Sequence, residues 1–178
     1  MKKIEIDTFL KFRFLSNPHF SPDGTKIAFT VSVPDRETNG YLSDLYLYDL
    51  GKKTVSRVTC IGDAKTWSWT AENTLIFTAA RTAALKKEKE NGTSFLYEIS
   101  PSGGEAQCIT SIPATVTGIR LLPDGRYLLT IRHDNYRDTR KKSYEVFDEL
   151  PFWANGQGIV NKKRTRLAVY DPENGSCE

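Results

Sequence analysis

Histidine, methionine and cysteine are scarce here: the 178 residues hold two, one and three of them. His19 and His133 are the only imidazoles, so the chain has little material for histidine acid–base chemistry. Cys60, Cys108 and Cys177 stand far apart, and no Cys-x-x-Cys pair or Cys/His cluster offers metal-ligand spacing. No metal and no cofactor is expected, and the cysteines read as free thiols of a reducing compartment. No apolar run reaches the length of a membrane span. Lys2 and Lys3 could open a signal peptide, but Glu5 and Asp7 fall where its apolar stretch should be. A strong excess of one charge is missing too. The net charge of +3 is too small to point to a nucleic-acid partner. These absences place the expected location in the cytoplasm, away from membrane and nucleic acid.

What is abundant is repetition. Residues 45–59 and 96–110 match with one constant offset of 51 positions, pairing Leu45 with Leu96, Tyr46 with Tyr97 and Thr59 with Thr110. A third copy of the first half runs from Leu167 to Pro172. The other half of the unit recurs as well. Phe20-Ser21-Pro22-Asp23-Gly24 before a strand matches Trp69-Thr70-Ala71-Glu72-Asn73 and Leu121-Leu122-Pro123-Asp124-Gly125. Each copy places a tight turn before an alternating strand, as in Ile27, Phe29, Val31 and Val33 against Ala28, Thr30 and Ser32. The unit is a four-stranded antiparallel meander of about 50 residues, the size of a propeller blade. The fold expected is therefore all-β, about three blades of a β-propeller; a constant offset argues against a β-sandwich. The expected divisions are a lead-in over 1–17 and blades over about 18–61, 62–112 and 113–178, the last incomplete. Asp7 is read as capping a short helix through Phe14, with a strand as the competing assignment.

The loop between the second and third strands grows from copy to copy. It spans Pro34–Ser43, then Arg81–Ser94, which reads as a solvated helical turn or loop, then His133–Arg166. The last has basic flanks around an acidic, aromatic centre, and Asn155-Gly156 suits a hairpin tip. It either packs onto its neighbouring blade or forms a contact arm toward another domain or a substrate. The residues assigned to that arm are Phe147, Phe152, Trp153, Asn155 and Gly156.

No catalytic group is assigned. His19, beside the first turn, reads as a packing residue. His133 and Asp134 are sequence neighbours, and on a strand such neighbours point to opposite faces, so they do not form an orienting pair. Asp148-Glu149 and Glu88/Glu90 lack an apolar wall that would split their pKa values. No Gly-x-Ser-x-Gly elbow is present.

The Ser21-Pro22-Asp23-Gly24 turn, the Leu45–Leu50 strand and the segment Phe147-Asp148-Glu149-Leu150-Pro151-Phe152-Trp153-Ala154-Asn155-Gly156 together resemble a known family. It is the N-terminal β-propeller of prolyl oligopeptidase-family serine peptidases, nearest the acylaminoacyl-peptidase and dipeptidyl-peptidase-like members. The resemblance implies a seven-bladed propeller that caps a C-terminal α/β-hydrolase domain with a Ser-Asp-His triad. It also implies a propeller that admits short peptides and excludes folded proteins. The chain stops after about three blades, inside a turn that in earlier copies leads to a strand, and so reads as an artificial cut. The competing reading is a stand-alone TolB-like binding propeller. Three blades cut from a ring are expected to self-associate through open end faces, with Ile27-Phe29-Val31 and Tyr127-Leu129-Ile131 as the exposed apolar rows.

Overall fold

A computed structural model describes residues 5–134, 152–154, 158–160 and 163–178. The chain is all-β, built as successive antiparallel sheets. Blade one consists of β1 (Phe14–Phe20), β2 (Lys26–Asp35), β3 (Gly40–Asp49) and β4 (Thr54–Arg57), hydrogen-bonded in sequence order. Blade two repeats that order with β5 (Trp67–Trp69), β6 (Leu75–Thr78), β7 (Ser94–Ile99) and β8 (Gln107–Ile112). An exposed helix, α1 (Ala83–Glu90), lies between β6 and β7. The Thr82 hydroxyl caps it by accepting from the Leu85 N–H at 3.2 Å.

Blade three contains β9 (Thr115–Leu121) and β10 (Tyr127–Asp134). A two-stranded hairpin follows, β11 (Phe152–Ala154) against β12 (Gly158–Val160), before β13 (Lys163–Tyr170) returns along β10. The free edge of β13 is partly covered by the end of the chain. Val169 and Glu178 exchange backbone hydrogen bonds of 2.6 and 3.0 Å, and Tyr170 bridges Cys177. This is the place of the fourth strand in the other two blades.

The inner turn is the same device three times. Gly24, Asn73 and Gly125 have φ of 68°, 61° and 85°, and their N–H groups donate to Ser21, Thr70 and Leu122 carbonyls. That left-handed conformation favours glycine, and asparagine is among the few other residues that adopt it readily. The registers Phe20↔Ile27, Trp69↔Leu75 and Leu121↔Tyr127 make these pairs equivalent among the blades. Blade one carries one extra turn residue between Gly24 and the start of the pairing.

This equivalence decides which side chains face which neighbour, and it corrects one expectation. Leu75 and Phe77 cluster with Ala28, Leu45 and Leu47 of blade one. Ile76 and Leu96 cluster with Tyr127, Leu129 and Ile119 of blade three. The Tyr127-Leu129-Ile131 row is therefore packed on blade two, not open. Blades stack in one sense, so equivalent rows all face the preceding blade. The row left uncovered by this rule is Ile27-Phe29, flanked by Leu15 and Phe20 at 68% and 64% exposure.

Three local differences have physical causes. The N-terminal turn is a 3-10 helix over Ile6–Lys11 that starts at Glu5 rather than Asp7, with the Glu5 N–H donating to Thr8 Oγ1 at 3.1 Å. Phe14 opens β1 instead of closing that helix, because Phe9, Phe14 and Tyr41 form an aromatic contact set on the β2–β3 hairpin. The first connection shrinks from Pro34–Ser43 to residues 36–39, with Pro34 inside β2 opposite Tyr41. Pairing with β1 ends at Ser32, so the missing Pro34 N–H has no strand to serve on that side.

The third connection is shorter than read as well. His133 pairs with Arg164 and Asp134 with Lys163, which leaves residues 135–162 between the paired strands.

Candidate functional site

The sheet order places β1, β5 and β9 at the edges of their blades. These three strands converge on one groove of about 530 Å³. Its lining combines Trp67 and Trp69 with Phe20, Ile119 and Leu121, while Lys65 and Arg120 supply positive charge and His19 an imidazole edge. Both indoles are anchored by hydrogen bonds across the blade boundary. Trp67 Nε1 donates to Thr30 Oγ1 at 2.9 Å, and Trp69 Nε1 donates to the His19 carbonyl at 3.1 Å. The rings are thus fixed and almost wholly buried behind the groove, while Lys65 and Arg120 are exposed.

His19 does pack as read, edge-on against Trp67 with centroids 5.6 Å apart, although it stays exposed. Its Nδ1 lies 3.2 Å from the Asn17 carbonyl. Asn17 itself has φ of 56°, where a β-bulge shifts the β1–β2 register between Ser16 and His19. The bulge lies in the stretch of β1 whose Asn17, His19 and Phe20 line the groove.

A second cavity of about 400 Å³ lies by the turns of blades two and three. Its rim holds Glu72, Glu98, Asp124, Asp171 and Glu173 with Arg126. Arg126 donates to Asp124 through Nε and one terminal nitrogen at 2.9 and 2.7 Å, which holds that carboxyl below its usual range. Tyr127 is pushed up to about 12, first by burial and then by the Glu72 and Glu98 charges.

Of the residues assigned to the contact arm, Phe152 and Trp153 lie in β11, paired with Val160 and Ile159. Phe147, Asn155 and Gly156 lie outside the described residues. The strands on either side of 155–157 pair antiparallel. Asp148 and Glu149 also lie outside the described residues, and Glu88 and Glu90 sit on the exposed α1. Cys60, Cys108 and Cys177 are free and exposed. Among the described residues, no group of three His, Cys, Asp or Glu is placed to hold a metal ion. No described helix is long and apolar enough to cross a membrane.

The sequence reading missed Lys65, Arg120, Trp67 and Trp69. The signal that carries part of this set is the repeat itself. His19, Ser68 and Arg120 occupy the same position of the inner strand, paired with Ala28, Ile76 and Leu128.

The whole chain aligns at 27% identity with the uncharacterized peptidase YuxL of Bacillus subtilis strain 168, spanning 28% of that protein. In structure, 96% of the chain superposes on the acylaminoacyl peptidase of Pyrococcus horikoshii with a TM-score of 0.70 at 17% identity, covering 25% of it. The chain is thus similar end to end to a peptidase and shares its fold with the propeller-bearing part of an acylaminoacyl peptidase. No family model matches it. The propeller part also resembles TolB of Acinetobacter baumannii, with a TM-score of 0.54 and 20% identity over 90% of this chain and 30% of TolB. It spans about a quarter of the length of the peptidases it matches.

Proposed function

We propose that the chain is the non-catalytic, substrate-gating propeller portion of a cytoplasmic serine peptidase that cleaves short peptides, of acylaminoacyl or dipeptidyl type. The observation that carries this reading is the end-to-end alignment with a peptidase, joined to a fold shared with an acylaminoacyl peptidase. In this reading blades one to three belong to a larger propeller, and a C-terminal α/β-hydrolase domain brings the nucleophile. The 135–162 insertion is the contact arm toward that domain or its substrate, since it occupies the connection that α1 occupies in blade two. The test is peptide hydrolysis. A longer chain with the hydrolase domain is expected to cleave acylated or aminoacyl-coupled fluorogenic peptides, and a serine-directed inhibitor blocks it. The 178-residue chain alone is expected to leave them intact. Robust, inhibitor-sensitive cleavage by the short chain overturns the division of labour; absence of cleavage by the longer chain overturns the peptidase assignment.

The TolB likeness favours a second reading, a binding propeller without an enzyme. A longer reading frame that ends without a Gly-x-Ser-x-Gly elbow would select it.

As purified, the 178-residue chain is expected to self-associate head to tail. Within the chain, the Leu75/Phe77 side of blade two covers the Ala28 side of blade one, and the Tyr127/Leu129 side of blade three covers blade two. The same contact between two copies sets Leu128 and Leu167 of one against Ile27, Phe29 and Phe20 of the other. Such a contact buries on the order of 1,000 Å². Light scattering coupled to size exclusion reads the mass. A cooperative-melting monomer of 20.1 kDa at micromolar concentration is the result that rejects it.

A further inference from the structure

The inner-strand groove carries a charge pattern that the gating role does not require. Lys65, Arg120 and His19 line it, and no carboxylate does among the described residues that form its wall. Neither Lys65 nor Arg120 has an ion-pair partner among the described residues. This is unusual on a chain whose charges nearly balance, with 25 basic and 22 acidic residues. The carboxylates gather instead around the second cavity, where five stand near a single guanidinium. Two cations without an ion-pair partner among the described residues, both in one groove lining, make a place where an anion gains charge-assisted hydrogen bonds. The neighbouring β1, β5 and β9 are edge strands, whose outer main-chain groups suit an extended peptide.

We propose that this groove binds short peptides by a carboxylate, held by Lys65 and Arg120, with the peptide's apolar part against the exposed Phe20 ring. The proposal rests on the peptide-gating reading and gives it a substrate class: peptides that carry a carboxylate near the end that enters the groove. A terminal carboxylate and an Asp or Glu side chain present the same chemistry, and the experiment separates them.

The measurement is fluorescence anisotropy at low salt with N-terminally labelled pentapeptides. Four probes are used: free-acid and amidated termini, each with and without an internal Glu. The 178-residue chain is expected to bind the free-acid or Glu-bearing probes about tenfold tighter than the amidated probe that lacks Glu. Lys65→Ala with Arg120→Ala is expected to erase that preference. Lys65→Arg with Arg120→Lys is expected to restore most of it, which separates lost charge from lost packing. Lys53→Ala, on an exposed turn, controls for general charge and should leave the preference intact. The two cations are exposed, so the alanine pair should not disturb folding. Equal binding of all four probes, a preference unchanged in the double variant, or tighter binding of a single-stranded oligonucleotide overturns the proposal. The two readings fail separately. If the longer chain hydrolyses peptides and the double variant leaves the KM ratio of free-acid to amidated substrates unchanged, the groove proposal fails while the peptidase stands. If no hydrolysis occurs but the carboxylate preference survives, the peptidase reading fails and the groove remains a binding site.

Discussion

The two blade boundaries are built from different chemistry. Between blades one and two, Trp67, Trp69, Phe77 and Tyr97 dominate, and polar contacts cross the seam. Besides the two indole bonds, the Asp23 N–H donates to Asn73 Oδ1 at 3.0 Å. Between blades two and three, Ile76, Leu96, Ile112, Val116, Ile119 and Leu129 form a mainly aliphatic seam closed by Tyr127 and Tyr170. There the Ser94 hydroxyl accepts from the Val116 N–H at 2.8 Å. Aliphatic burial is strong but has no direction, whereas an indole N–H with one acceptor fixes an angle. The first seam lies beside the groove and holds its walls; the second supplies cohesion. Position and chemistry agree, because a binding wall needs orientation more than it needs area.

The largest expected effects come from truncating either seam. Phe77 is 1% exposed and Leu96 fully buried. Phe77→Ala is expected to cost about 4 kcal/mol and Leu96→Ala about 3 kcal/mol, read from urea or guanidinium midpoints. The seams should then part company under a subtler change. Thr30→Val keeps the volume near constant and leaves the Trp67 N–H unpaired, for a cost of about 1–2 kcal/mol. In the Trp67→Phe background the same Thr30→Val change should cost much less, since the bond is already gone. Equal costs in both backgrounds would mean the indole bond does not orient the seam. Leu96→Ala measured in those backgrounds should add to them, because it belongs to the other seam.

The repeat made the blades legible: the Leu45/Leu96 and Thr59/Thr110 correspondences follow from local turn chemistry and strand alternation. Facing was not legible to the same degree. Alternation separates Tyr127 and Leu129 from Leu128, but only stacking order says which of the two sides meets a neighbour. Strand ends were misjudged where tertiary context overrode a local signal, at Pro34 beyond the reach of β1 and at Phe14 drawn onto Tyr41. The groove was harder still. Lys65 and Arg120 look in sequence like ordinary solvated charges, and they share one groove only because blade stacking brings three edge strands together over a long sequence separation.

The smallest expected effect sharpens the comparison at the turns, where blade one uses Asp23-Gly24 and blade two uses Glu72-Asn73. The Asp23 carboxylate accepts from the Ser21 hydroxyl at 2.6 Å and from the Thr25 N–H and hydroxyl at 3.0 and 2.9 Å. The Ser21 bond first, then the Thr25 backbone bond, lowers its pKa from 3.8 to about 2. A carboxyl whose folded pKa lies below its unfolded value stabilises the fold above the unfolded value and loses that contribution as pH falls through the folded one. Its share of stability is therefore complete above pH 4 and fades between about pH 4 and pH 2. Asp23→Asn keeps the shape and removes the titration. Urea midpoints taken from pH 6 down to pH 2.5 should fall less steeply for the variant than for the parent, with the two curves converging at the acid end. Asn73 has no such group to lose, so Asn73→Gly should shift its curve by a constant, without changing its slope in this window. A D23N curve parallel to the parent's throughout would show that the turn's hydrogen bonds do not couple its protonation to folding.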